Sequence, residues 1–100
     1  YTGSATVTGS TTLSTSTWYH IALCRSGTST KLFVNGTQSG STYTDSSTYA
    51  NSAQRPLIGV DSYTGSTAYM NGYIDDLRIT KGYARYVQNF TPPTQADQLY

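Results

Sequence analysis

The sequence contains no glutamate at all, and its charged residues are only six Lys or Arg against five Asp. Helical surfaces draw heavily on Glu, Lys and Leu, so an all-α fold is excluded. The formal net charge of +1 builds no field that gathers phosphates or an anionic membrane, which argues against nucleic acid as a partner and against membrane insertion. A single cysteine, Cys24, permits no internal disulfide, and with the single histidine, His20, it cannot supply a zinc shell. There is no apolar run long enough for a membrane-spanning helix, and no repeat at periods of about 20–50 residues. One hundred residues are too few for a large multidomain enzyme.

What fills the chain instead is hydroxyl and phenol. Eighteen Thr and thirteen Ser make up 31 of the 100 residues, and Tyr adds ten more. β-branched Thr and aromatic Tyr suit pleated surfaces, so the composition points to an all-β, extracellular type of domain. The chain starts at Tyr1 with neither an initiator Met nor a basic, apolar leader, and this suggests a segment of a longer polypeptide.

Residues 1–17 read as a Thr/Ser-rich arm or as edge strands. Trp18 to Arg25 alternates apolar residues on both faces and predicts a strand buried on both sides, with Cys24 as a small packed hydrophobe. Ser26-Gly27-Thr28-Ser29 has turn chemistry. A second strand, Thr30 to Val34, runs into Asn35-Gly36, the pair best suited to two positive φ angles in a hairpin. A weak strand is expected over 37–44 and a long polar loop over 45–54. The proline-led Arg55 to Val60 predicts a short strand, residues 61–68 a loop, and 69–80 a long strand broken by Asn71-Gly72 and bulged at Ile74. Tyr83-Ala84-Arg85-Tyr86 suggests one helical turn, and residues 95–100 form a tail. Were the chain to close on itself as a small six-strand sandwich, its core would be Trp18, Ile21, Leu23, Leu32, Val34, Leu57, Ile58, Ile74, Leu77 and Ile79.

Three blocks carry a family likeness: Trp18-Tyr19-His20-Ile21-Ala22-Leu23 through Arg25-Ser26-Gly27, Lys31-Leu32-Phe33-Val34-Asn35-Gly36, and Gly72-Tyr73-Ile74-Asp75-Asp76-Leu77-Arg78-Ile79-Thr80-Lys81-Gly82. Over residues 18–94 the chain resembles the C-terminal half of the concanavalin A-like, laminin G-like jelly roll. The closing segments Ala84-Arg85-Tyr86 and Asn89-Phe90-Thr91-Pro92-Pro93-Thr94 resemble the variant found in bacteriophage tail and virion proteins and in bacterial surface proteins. The resemblance implies an antiparallel β-sandwich. Since such a sandwich takes on the order of twice this many residues, it also implies a domain that is incomplete or completed by a partner. A compact six-strand sandwich built from this chain alone is the alternative.

Glycan hydrolases of that fold place paired carboxylates, usually glutamates, on one strand face, because acid and base must flank one bond. Here Asp75 and Asp76 are sequence neighbours, which a strand directs to opposite faces. His20 is the only base available to a serine nucleophile, and it matches a position that the resembled family uses for packing. No catalytic residue is therefore assigned. Tyr43, Tyr49, Tyr63 and Tyr69, in or beside polar loops, could stack on sugar rings, while Asp45, Asn51 and Asp61 are weak calcium candidates without a loop-type calcium spacing. Asn35-Gly36-Thr37 and Asn89-Phe90-Thr91 fit the glycosylation pattern, but turn and closing motif explain both. The reading is a non-enzymatic structural or adhesion module of a virion or cell-surface protein, with saccharide recognition as a secondary role. Its partners would be other subunits, the remainder of a larger polypeptide, or cell-surface glycans. A lectin proper and an accessory fragment of a glycan hydrolase are the alternatives.

Overall fold

The computed structural model describes residues 7–48, 57–61 and 68–95. They fall in two compact units, one built from Tyr1–Ser47 with Ile79–Tyr100 and the other from Thr48–Arg78. Every pairing is antiparallel, and no helix occurs among the described residues. The all-β antiparallel class expected from composition is the one observed.

The first unit is organised on a hairpin. Strand β1 (Ile21–Ser26) pairs with β2 (Ser29–Val34) over its whole length, from Ser26↔Ser29 at the turn to Ile21↔Val34 at the open end. Gly27 opens the two-residue turn with a φ of 57°, a value that glycine reaches without a Cβ penalty. The other edge of β2 takes two short strands. β3 (Thr37–Gln38) follows the Asn35-Gly36 turn, whose φ values of 52° and 82° match the predicted left-handed pair, and β4 (Tyr43–Thr44) pairs back at Ser29 and Thr30. Between them, Ser39–Thr42 stand opposite Lys31 and Leu32 alone. The weak strand expected over 37–44 is thus split by a bulge-like excursion.

The second unit holds β5 (Val60–Asp61) paired with β6 (Ala68–Tyr69), extended by Met70 N–H donating to the Gly59 carbonyl at 2.8 Å.

Several expectations are corrected. The first strand begins at Ile21 rather than Trp18. It is not buried on both faces: Ile21, Leu23 and Trp18 are exposed, Leu23 at 64%. Among the described residues only β2 pairs with β1. The strand predicted over Arg55–Val60 is reduced among described residues to β5, and of the run 69–80 only Tyr69 is in a strand. Tyr73 to Thr80 has no ladder partner among the described residues, and Asp76 adopts a left-handed φ of 50° that breaks an extended run, so the Ile74 bulge has no sheet to sit in. The helical turn at 83–86 is likewise absent. Of the ten residues that a self-contained six-strand sandwich would use as its core, Val34 is buried and Leu32 half-buried, while the other eight are exposed. Phe33, fully buried, is the core residue that the alternation argument left out.

Phe33→Ala should therefore cost about 3–5 kcal/mol, as aromatic truncation in a core does. Leu23→Ala should stay within about 0.5 kcal/mol, as surface changes do, and not reach the 2–5 kcal/mol that a core position would lose. Urea unfolding of both variants checks the pair.

Candidate functional site

Three clasps position the side chains of the first unit. The first closes on Ser39, which is 1% exposed. Its Oγ accepts hydrogen bonds from the backbone N–H of Ser10 and of Thr11, each at 2.9 Å, and lies 2.7 Å from Thr11 Oγ1. Gly40 N–H donates to Ser10 Oγ at 3.1 Å. A Cβ on Gly9 would sit 3.0 Å from Leu32 Cδ2, so the N-terminal segment lies directly over one face of β2. Among residues 7–17 no strand forms. The arm is held by its hydroxyls and not by a ladder.

The second clasp is Arg25. Its Nε donates to the Gly27 carbonyl at 3.0 Å, and its Nη2 donates to the carbonyls of Asp45 and Ser47 at 3.1 and 2.9 Å. Asp45, one of the calcium candidates, is 8% exposed, and its Oδ1 accepts from Ser47 N–H at 2.8 Å. The carboxylate is used to hold the chain where it leaves β4, an arrangement in which a short Asp side chain bonds the backbone two residues on.

The third clasp gathers the aromatic residues. Phe90 N–H donates to the Gly36 carbonyl, and Asn89 Oδ1 accepts from Gln38 N–H. Lys31 Nζ donates to the Val87 carbonyl. Phe90 stacks on Tyr86 with centroids 3.5 Å apart and planes 5° apart, and meets Phe33 and His20 edge-on at 5.4 and 5.5 Å. His20 exchanges two bonds with Asn35: its N–H donates to Asn35 Oδ1, and its carbonyl accepts from Asn35 N–H. Among the described residues the buried His20 Nδ1 finds no hydrogen-bond partner, and the ring meets Tyr86 and Phe90 edge-on. Beside the cluster, hydrogen bonding to the Tyr86 side chain holds Arg85 above the ordinary guanidinium value. Near the chain start, the Ser14 N–H on Tyr19 Oη, at 2.8 Å, holds that phenol below the usual tyrosine value.

The predicted binding tyrosines separate. Tyr43 lies half-buried in β4, and Tyr69 is 77% exposed in β6. Tyr49 and Tyr63, with Asn51, lie outside the described residues. Asp61 belongs to β5 in the second unit, whereas Asp45 belongs to the first. Among the described residues no three His, Cys, Asp or Glu side chains gather as a metal site. Asp75 Oδ1 accepts from Asp76 N–H at 2.8 Å, which ties one of the adjacent carboxylates to loop backbone. The prediction missed Tyr73, exposed at 83%, and the Tyr86–Phe90 stack. The stack's signal was the four-residue spacing of two aromatic residues inside the closing motif.

A family profile described as the concanavalin A-like lectin/glucanases superfamily, in its laminin G type, matches residues 1–85. The chain belongs to that superfamily. The match takes in the first 17 residues and ends at Arg85, short of the Asn89–Thr94 segment that forms the third clasp. No curated protein and no solved structure matches the chain. Superfamily membership and the antiparallel sheet together fit a carbohydrate-binding or structural module.

Gly36 is the hinge of the third clasp. A Cβ there would lie 1.9 Å from the Phe90 carbonyl oxygen and 3.0 Å from Pro92 Cδ, whereas one on Gly27 would meet nothing within 4 Å. Gly27→Ala should cost only the left-handed penalty of about 1–2 kcal/mol. Gly36→Ala adds a backbone collision to that penalty and should cost clearly more. Denaturation midpoints of the two variants check this.

Proposed function

We propose that the domain is a non-enzymatic structural or adhesion module of a virion or cell-surface protein, packed in service against other subunits or against further polypeptide. The observation that carries this reading is the open side of β1. The strand's outer edge pairs with nothing among the described residues, and Ile21 and Leu23 stand exposed on one face of it, with Trp18 exposed just ahead. A monomer designed for water guards such an edge with charge, proline or a covering loop. Here the 24 residues before Arg25 carry no charge at all. The superfamily supplies the architecture, and the missing glutamates argue against the glucanase side of it.

A second reading, saccharide recognition, is favoured by Tyr69 and Tyr73. Both are strongly exposed and lie four residues apart in the second unit, and phenol rings of this kind stack on sugar faces while hydroxyls bond outward.

Light scattering of the chain at micromolar concentration should show association. A Leu23→Lys variant, with a charge placed on the open strand, should be monomeric and melt as the parent does. A monodisperse parent with a cooperative melt would overturn the assembly reading. Glycan-array binding that disappears in a Tyr69→Ala, Tyr73→Ala double variant of unchanged stability would support the lectin reading, and an array without signal would end it.

A further inference from the structure

The chain carries two Asn-Gly pairs, Asn35-Gly36 and Asn71-Gly72. In any peptide this pair is prone to self-modification, because glycine has no side chain to shield its backbone nitrogen from the preceding amide. The structure treats the two pairs oppositely.

At Asn35 the reacting side chain is engaged and the backbone around it is held. The side-chain Oδ1 accepts from His20 N–H at 2.9 Å, and the backbone N–H donates to the His20 carbonyl at 2.8 Å. Gly36 is buried, its carbonyl accepts from Phe90 N–H at 2.8 Å, and the Phe90 carbonyl lies where a Cβ would begin. Swinging the Gly36 nitrogen onto the Asn35 side chain would break these contacts together. At Asn71 the surroundings are open. Both Asn71 and Gly72 are exposed, neither is in a strand, and among the described residues a Cβ on Gly72 would approach the flexible end of Met70 alone, at 3.3 Å.

We infer that Asn71-Gly72 is a spontaneous deamidation site of the folded protein, and that the Asn35-Gly36 hairpin is protected. The Gly72 backbone nitrogen attacks Asn71 Cγ. A new N–Cγ bond closes a five-membered succinimide as the Cγ–Nδ2 bond breaks, and ammonia leaves with the proton shed by the Gly72 nitrogen. One water then opens the ring at either carbonyl, giving aspartate or isoaspartate. Each event adds one carboxylate and takes the formal net charge from +1 to 0. The isoaspartate product also lengthens the main chain by one methylene immediately after Met70, whose N–H closes the β5–β6 pair on Gly59. The modification therefore acts as a slow clock on the second unit.

The test is timed incubation of the folded chain in mildly alkaline buffer, with peptide mapping by mass spectrometry at both pairs and enzymatic methyl labelling of isoaspartate. Asn71 should convert about tenfold faster than Asn35 or more, the ratio set by a barrier difference of about 1.4 kcal/mol. In concentrated urea the two rates should converge. Gly72→Ala, which the open surroundings accommodate, should suppress the reaction at 71 without lowering the melting temperature. Equal rates at the two pairs in the folded protein, or a ratio that urea leaves unchanged, would overturn the proposal.

Discussion

The carbonyl of Phe90 occupies the place where a side chain on residue 36 would begin, and much of the first unit depends on that approach. Because Gly36 is bare, the closing segment can lie against the hairpin turn and donate its Phe90 N–H to the Gly36 carbonyl. Phe90 is then seated against Phe33 and His20, with Tyr86 stacked behind it. Phe33 owes its complete burial to this cover, since β1 and β2 alone leave both faces of a two-stranded ribbon open. The two hydrogen bonds between His20 and Asn35, one to the side chain and one within the backbone, fix the base of the same turn from the residue just ahead of β1.

Among the described residues of the first unit, the core is consequently built around β2. One face of β2 meets the N-terminal segment at Gly9, and the other meets Phe90, while β1 has no second ladder partner among the described residues and carries exposed Ile21 and Leu23. The clasps are largely polar: Ser39, Arg25 and Asn89 each bond a backbone group of a distant residue through the side chain. A sequence with 31 hydroxyl residues and few aliphatic ones has this means of holding irregular segments in place, because each bond satisfies a backbone group that no ladder reaches.

The local chemistry of the hairpins was legible in the sequence. Gly27 and Asn35-Gly36 announced turns whose φ values then followed, and β2 lies within one residue of its expected start. Burial was not legible. Alternation at Trp18–Arg25 and at Tyr73–Thr80 records which side chains suit a covered face, but it does not say whether a covering layer is present, and eight of the ten residues that a self-contained sandwich would bury are exposed. Phe33 was passed over because its burial depends on Phe90, far along the chain and outside any window of periodicity. Asp45 drew attention as a loop carboxylate, yet its neighbour two residues on, Ser47, was enough to engage it. Within the stretch read as an arm or as edge strands, Ser10 and Thr11 are held by the hydroxyl of Ser39, a contact that no local pattern in the sequence announces.

The third clasp also sets an order of events during synthesis. Lys31 and Val87, which it joins, are 56 residues apart. At the ribosome's pace of about 5–20 residues per second, the hairpin is finished roughly 3–11 seconds before its cover emerges. Through that interval the nascent chain presents Phe33 and an almost uncharged strand edge to every neighbouring chain on the same message. Dense polysomes should therefore favour entanglement between copies, and sparse translation should favour chains that close on themselves.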